Sequence, residues 1–173
     1  MEVELKNPDP KTATSIFDFK VLDIDGNEVS MCIYKGYVTY IVNVASAWGL
    51  TAVNYTQMAE LHKSYSEKGL RILAFPCNQF GKQEPGTNAE VKKFAQDHRA
   101  EYDLFSKIDV NCSDAHPLYE YLKAKKPGIM GTKGIKWNFS KFLCGKDGVP
   151  VKRYGPKEDP FDAVKDIEAE LCK

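Results

Sequence analysis

Apolar and polar positions along this chain change period several times, and each change marks an element. Ile16-Phe17-Asp18-Phe19-Lys20-Val21 alternates, Asp25-Gly26-Asn27 turns the chain, and Val29 to Ile33 returns, which predicts a small antiparallel hairpin. From about Val38 to Ala45 the run is apolar without alternation, as in a strand buried on both faces. After Gly49, residues Tyr55, Met58, Leu61 and Tyr65 recur at helical spacing, and Gly69 ends that helix. Leu70 to Phe75 is a second mostly apolar strand, closed by Pro76. Strand, helix and strand make a βαβ unit, so the two strands are parallel and their carboxyl ends share one edge.

Thr87-Asn88-Ala89-Glu90 has capping-box spacing and opens a helix to about His98, with Val91, Phe94 and Ala95 inward. A strand is expected near Leu104 to Ile108, and a short helix from Asp114 and Pro117 through Leu118, Tyr121 and Leu122. Lys136 to Cys144 reads as a strand, Lys146-Asp147-Gly148 as a hairpin turn, and Val149 to Tyr154 as its partner. Asp159-Pro160 begins a last helix with Phe161, Val164, Ile167 and Leu171 inward. The pattern predicts an α/β fold: a central mixed β-sheet flanked by helices, with an N-terminal β-hairpin, in a thioredoxin-like arrangement. Residues 1–14 are a polar lead-in holding Pro8 and Pro10, and residues 15–173 form one domain.

Composition narrows the function. The 24 basic and 24 acidic residues cancel, so no overall field draws in nucleic acid. The amino terminus lacks the apolar core of a secretion signal, which makes the cytoplasm the default, with a mitochondrial form left open. The five cysteines, Cys32, Cys77, Cys112, Cys144 and Cys172, are widely spaced without a C-x-x-C, which argues against a disulfide framework, a metal site or a dithiol motif. Each is expected to be a reduced, mostly buried small hydrophobe. His62, His98 and His116 lack metal-ligand spacing and read as surface or capping residues.

Chemistry is expected where the first buried strand breaks into Ala45-Ser46-Ala47-Trp48-Gly49. Open α/β sheets place ligands at such carboxyl ends, and the helix start beyond it favours an anion. If the strand containing Trp137 runs antiparallel, then Trp48, the Gln79–Gln83 loop, Trp137 and Asn138 meet at one edge. The blocks Val44-Ala45-Ser46-x-x-Gly49, Leu73-Ala74-Phe75-Pro76-Cys77-Asn78-Gln79-Phe80, Gln83-Glu84-Pro85-Gly86 and Trp137-Asn138-Phe139 resemble the signature of the glutathione peroxidases, in the same order and spacing. The resemblance covers roughly Ser15 to Leu171 and is closest to the monomeric phospholipid-hydroperoxide branch, through Arg71-Ile72-Leu73-Ala74 and Lys152-Arg153-Tyr154-Gly155-Pro156.

The resemblance implies that Gln83, Trp137 and Asn138 hydrogen-bond around a nucleophile at position 48, where the family carries selenocysteine or cysteine. Neutral donors suit that task because they stabilise a chalcogenolate without titrating themselves. Trp48 stands at that position, and an indole cannot attack a peroxide and be regenerated by thiols. Three origins are open: a selenocysteine codon, UGA, replaced by UGG; deliberate inactivation; or a natural binding or scaffold protein on a peroxidase fold. Cys77 belongs to a signature block and accompanies the nucleophile without replacing it.

No cofactor is implied beyond selenium as selenocysteine; the reductant is glutathione or another small thiol, because the helix after the Gln-Glu-Pro-Gly block lacks the resolving cysteine of thioredoxin-dependent members. The implied substrates are hydrogen peroxide and organic or phospholipid hydroperoxides. The short Pro127–Gly134 loop, where tetrameric relatives have an insertion, implies a monomer. Lys136, Lys141 and Arg153, with Lys125, Lys126, Lys133 and Lys152, read either as a rim for phospholipid head groups, with transient membrane contact, or as a solvated lysine-rich loop. Leu50 stands where the phospholipid branch often has a lysine, leaving an apolar contact there.

Overall fold

The computed structural model describes residues 4–173. The hairpin pairs β1 (Lys20–Leu22) with β2 (Glu28–Ser30). The main sheet contains β3 (Val38–Val44), β4 (Leu70–Pro76), β5 (Asp103–Leu104), β6 (Lys141–Cys144) and β7 (Pro150–Tyr154), in the order β5-β4-β3-β6-β7. Strands β3, β4 and β5 are parallel, whereas β6 and β7 run antiparallel to their neighbours. Helices α1 (Thr51–Tyr65), α2 (Asn88–Asp97), α3 (Pro117–Lys125) and α4 (Val164–Leu171) complete the expected mixed α/β architecture.

Every residue of β3 is buried, as its unbroken apolar run requires. Side chains alternate between two cores. Ile41, Leu73, Phe75 and Phe142 pack with the hairpin and α3. Tyr40, Val42, Ile72, Ala74 and Leu143 pack with α1 and α4. Full burial of such a side chain stabilises by about 1.5–3 kcal/mol, so the central strands are the least movable part of the molecule.

Local chemistry overrides periodicity at several points. Ile16–Asp18 is a 3-10 turn closed by a Ser15/Asp18 capping box, where alternation predicts strand. Likewise, β5 spans two residues instead of five. Strand β6 begins only at Lys141, because Trp137 to Ser140 form a turn with Phe139 at φ 59°. Phe161 is exposed, since Pro160–Ala163 winds as a 3-10 turn and rotates it outward. Only Cys77 and Cys144 are buried, whereas Cys32, Cys112 and Cys172 are exposed.

Helix α3 starts at Pro117, and the residue before it, His116, is its cap: the His116 Nδ1 accepts the Leu118 N–H at 3.1 Å. Burial holds the His116 imidazole down at a pKa of about 4. A histidine depressed in the folded state contributes stability above its unfolded pKa, lost as pH falls from about 6.5 toward 4. His116→Asn, which keeps a capping acceptor, is expected to abolish that part of the loss, at most about 3 kcal/mol. Urea unfolding of both proteins at pH 4.5 and 7 measures it; equal losses in the two would refute the assignment.

Candidate active site

At the carboxyl end of β3 the chain turns through Ser46-Ala47-Trp48 into α1. Thr51 closes the turn: its hydroxyl donates to the Ala45 carbonyl at 2.8 Å and accepts the Trp48 N–H at 3.0 Å. The Thr51 N–H returns to the Trp48 carbonyl at 3.0 Å. The Ala47 N–H donates to the Gln83 carbonyl at 3.0 Å, stitching this turn to the loop after β4. With the Ala47 and Trp48 amides engaged, the donors left near position 48 are the Gly49 and Leu50 N–H groups at the start of α1 and the side-chain donors expected around it.

Three of those donors are brought together. Asn138, fully buried, donates from Nδ2 to Gln83 Oε1 at 2.7 Å. That bond engages the acceptor end of Gln83 and leaves its amide N–H groups as the available end. Trp137 is half-buried, with its ring 5.6 Å from Phe80. Gly81, at φ 65°, passes so close that a Cβ there would lie 3.2 Å from the indole, so this position needs glycine twice over.

Asn43 in β3 holds the Trp137 segment from below. Its Nδ2 donates to the Trp137 carbonyl at 3.1 Å, and its carbonyl accepts the Phe139 N–H at 2.7 Å. Trp48 reaches the same segment through Phe139, the rings stacked at 6.0 Å and 17°. The four segments expected at one edge therefore meet there, because β6 is antiparallel to β3. Trp48 is partly buried against the α1-side core, so the ring fills space at this edge.

Cys77 is fully buried, and burial pushes its thiol up to about 11. It is a poor nucleophile in this state. The basic rim needs correction. Lys141 is completely buried on β6 and donates to the Glu158 carbonyl, with burial lowering its pKa to about 8. It cannot face a head group. The half-buried Arg153 guanidinium donates to the carbonyls of Lys126, Lys133 and Gly134, so it ties down the 127–134 loop. Lys136 is exposed and lines a cavity of about 350 Å3 with Arg153, Ser140 and Ile129.

The chain matches the glutathione peroxidase family over residues 16–123. The chain belongs to that family. It is 54% identical over 161 residues to the phospholipid hydroperoxide glutathione peroxidase of Pongo pygmaeus, covering 92% of this chain and 81% of that one. The crystal structure of T. cruzi GPX1 superposes with a TM-score of 0.77 at 40% identity, covering 92% and 97% of the two chains. A thioredoxin family protein from Chlorobium tepidum, at 17% identity, 91% and 96% coverage and a TM-score of 0.67, shares the thioredoxin-like fold. Peroxidase oxidoreductase chemistry is thus the activity of this family's scaffold.

Thr51 and Asn43 lie outside the site residues expected from the motifs, and Glu84 figures there only as part of a signature block. A threonine three residues past the turn and a lone polar residue in an apolar strand were the available signals for the first two. Glu84 is fully buried beside the turn; no hydrogen bond of good geometry reaches its carboxylate, and the Ser46 hydroxyl and N–H are the donors that come near it. Burial raises its pKa, with Ser46 and then Lys107 opposing the shift. An acid raised on folding loses stability as pH climbs above its unfolded pKa, near 4.5. Glu84→Gln is therefore expected to gain stability relative to the parent as pH rises from about 4.5 toward 7. Urea unfolding across that range tests it, and a difference independent of pH would show that folding leaves the Glu84 pKa unshifted.

Proposed function

We propose that this scaffold serves thiol-dependent reduction of hydrogen peroxide and of organic and phospholipid hydroperoxides, and that the chain with Trp48 does not turn over. The observation that carries the reading is the Gln83–Asn138 amide pair beside Trp137, converging on the turn at position 48. A thiolate or selenolate at position 48 would attack one peroxide oxygen, breaking the O–O bond and releasing an alcohol or water once a proton is taken up. One thiol then attacks the oxidised sulfur or selenium, displacing its hydroxyl as water and forming a mixed disulfide or selenosulfide. A second thiol restores the resting state and leaves as a disulfide. In this scheme Gln83, Trp137 and Asn138 donate hydrogen bonds to the anion and its oxidised forms. Glutathione is the thiol favoured by the relatives' names, and α2 supplies no resolving cysteine.

A second reading, a binding or scaffold protein, is favoured by the Trp48–Phe139 stack, which fills the place where substrate would approach. Trp48→Cys separates the two. The expected outcome is thiol-dependent reduction of a lipid hydroperoxide by Trp48→Cys, against near-zero turnover for the Trp48 chain. No gain from Trp48→Cys would remove the peroxidase reading.

Contact with a phospholipid surface fits the loop between α3 and the Trp137 turn. Ile129 and Met130 there are 83% and 96% exposed, with Lys125, Lys133 and Lys136 exposed around them. An apolar tip ringed by lysines suits an anionic interface. Among the described residues no helix is long and apolar enough to cross a membrane. Replacing Ile129 and Met130 together by Ser is expected to weaken cosedimentation with phosphatidylserine-containing vesicles several-fold, leaving the melting temperature unchanged. Unchanged vesicle binding would exclude this loop as the contact.

A further inference from the structure

Two primary amides outside the donor set form a ladder that ends at Trp137. Gln79 Oε1 accepts the backbone N–H groups of Val110 and Asn111 at 2.7 and 3.0 Å, and its Nε2 donates to the Asn111 carbonyl at 3.0 Å. Asn111 repeats the pattern one step on. Its Nδ2 donates to the Ile135 carbonyl and its Oδ1 accepts the Ile135 N–H, both at 2.9 Å. The nearly buried Lys123 adds a 3.4 Å contact to the same Oδ1.

Each amide thus reads both polar groups of a backbone segment that has no strand partner at that point. Gln79 lies four residues before Gln83 and is fixed by the end of β4; Ile135 lies two residues before Trp137. Asn43 grips the other side of the same turn through the Trp137 carbonyl. The Trp137 segment is therefore held at both ends, once from β3 and once from the β4 loop.

We propose that Gln79 and Asn111 are positioning residues, a two-step amide clamp that sets the Trp137 indole relative to position 48. The clamp explains why Cys112, next to Asn111, is held at φ 69°: backbone outside the usual regions persists where surrounding bonds over-determine it. Its activity consequence rests on the peroxidase reading; its geometric consequence does not.

The test uses Trp48→Cys, which leaves Trp137 as the only tryptophan of the two in the chain. Adding Asn111→Ala is expected to make Trp137 more accessible to acrylamide and to lower kcat by about tenfold to a hundredfold with little change in KM. Asn111→Asp keeps the acceptor for the Ile135 N–H but loses the donor, and should fall between. Gln79→Glu, which loses its donor to Asn111, should resemble it. Should Asn111→Ala not fold, these two near-isosteric variants decide the matter. Ser113→Ala, exposed next door, serves as control. Quenching and kcat unchanged in Asn111→Asp and Gln79→Glu would overturn the clamp, as would a lowered melting temperature with Trp137 emission unmoved. If Trp48→Cys itself shows no turnover, the peroxidase reading fails while the quenching comparison still decides the clamp.

Discussion

Burial of β3 on both faces is the constraint on which the rest of the molecule depends. Its register with β4 runs without interruption from Val38↔Leu70 to Val44↔Pro76, and β6 covers its other edge from Thr39 to Val42. A strand so enclosed has no freedom to slide, because a one-residue slip would exchange the two cores. Its carboxyl end is thus a fixed point. The turn at position 48, the loop carrying Gln83 and the Trp137 segment are referenced to it through Thr51, Ala47 and Asn43 respectively.

The edge built there is short of charge. Its donors are amides and an indole, and Glu84, the acid beneath it, is driven toward its neutral form by burial. Such a setting strengthens hydrogen bonds to an anion by excluding water, without a competing cation to neutralise it. Lys107 comes near only through the Glu84 and Gly86 carbonyls, and other positive charges lie farther out, around the 127–134 loop, where Arg153 serves as a tether and Lys136 faces solvent. Lys141, which belongs to the same stretch of sequence, is enclosed because both faces of β6 are covered. Position 48 itself holds an aromatic ring stacked on Phe139.

Much of this was legible from residues alone. The unbroken apolar runs of β3 and β4, the helical face of α1 and the signature blocks placed the sheet order's core and its functional edge, since burial on two faces and helical periodicity leave direct marks on composition. Gln83, Trp137 and Asn138 could be named because they sit in those blocks. The polar clamps could not. Asn43, Gln79, Asn111 and Thr51 bind backbone groups of other segments, and a side-chain amide that reads a distant carbonyl has the same letter as one that faces water.

The sequence by itself determined the fold class, the parallel βαβ unit and the indole that follows the first buried strand, because those follow from periodicity and from the identity of single residues. Only the tertiary structure decided that residues 137–140 are a turn, that Lys141 is buried and Phe161 exposed, and which groups hold the Trp137 segment. Those outcomes depend on contacts between segments far apart in the chain, where packing and hydrogen-bond satisfaction override local preference.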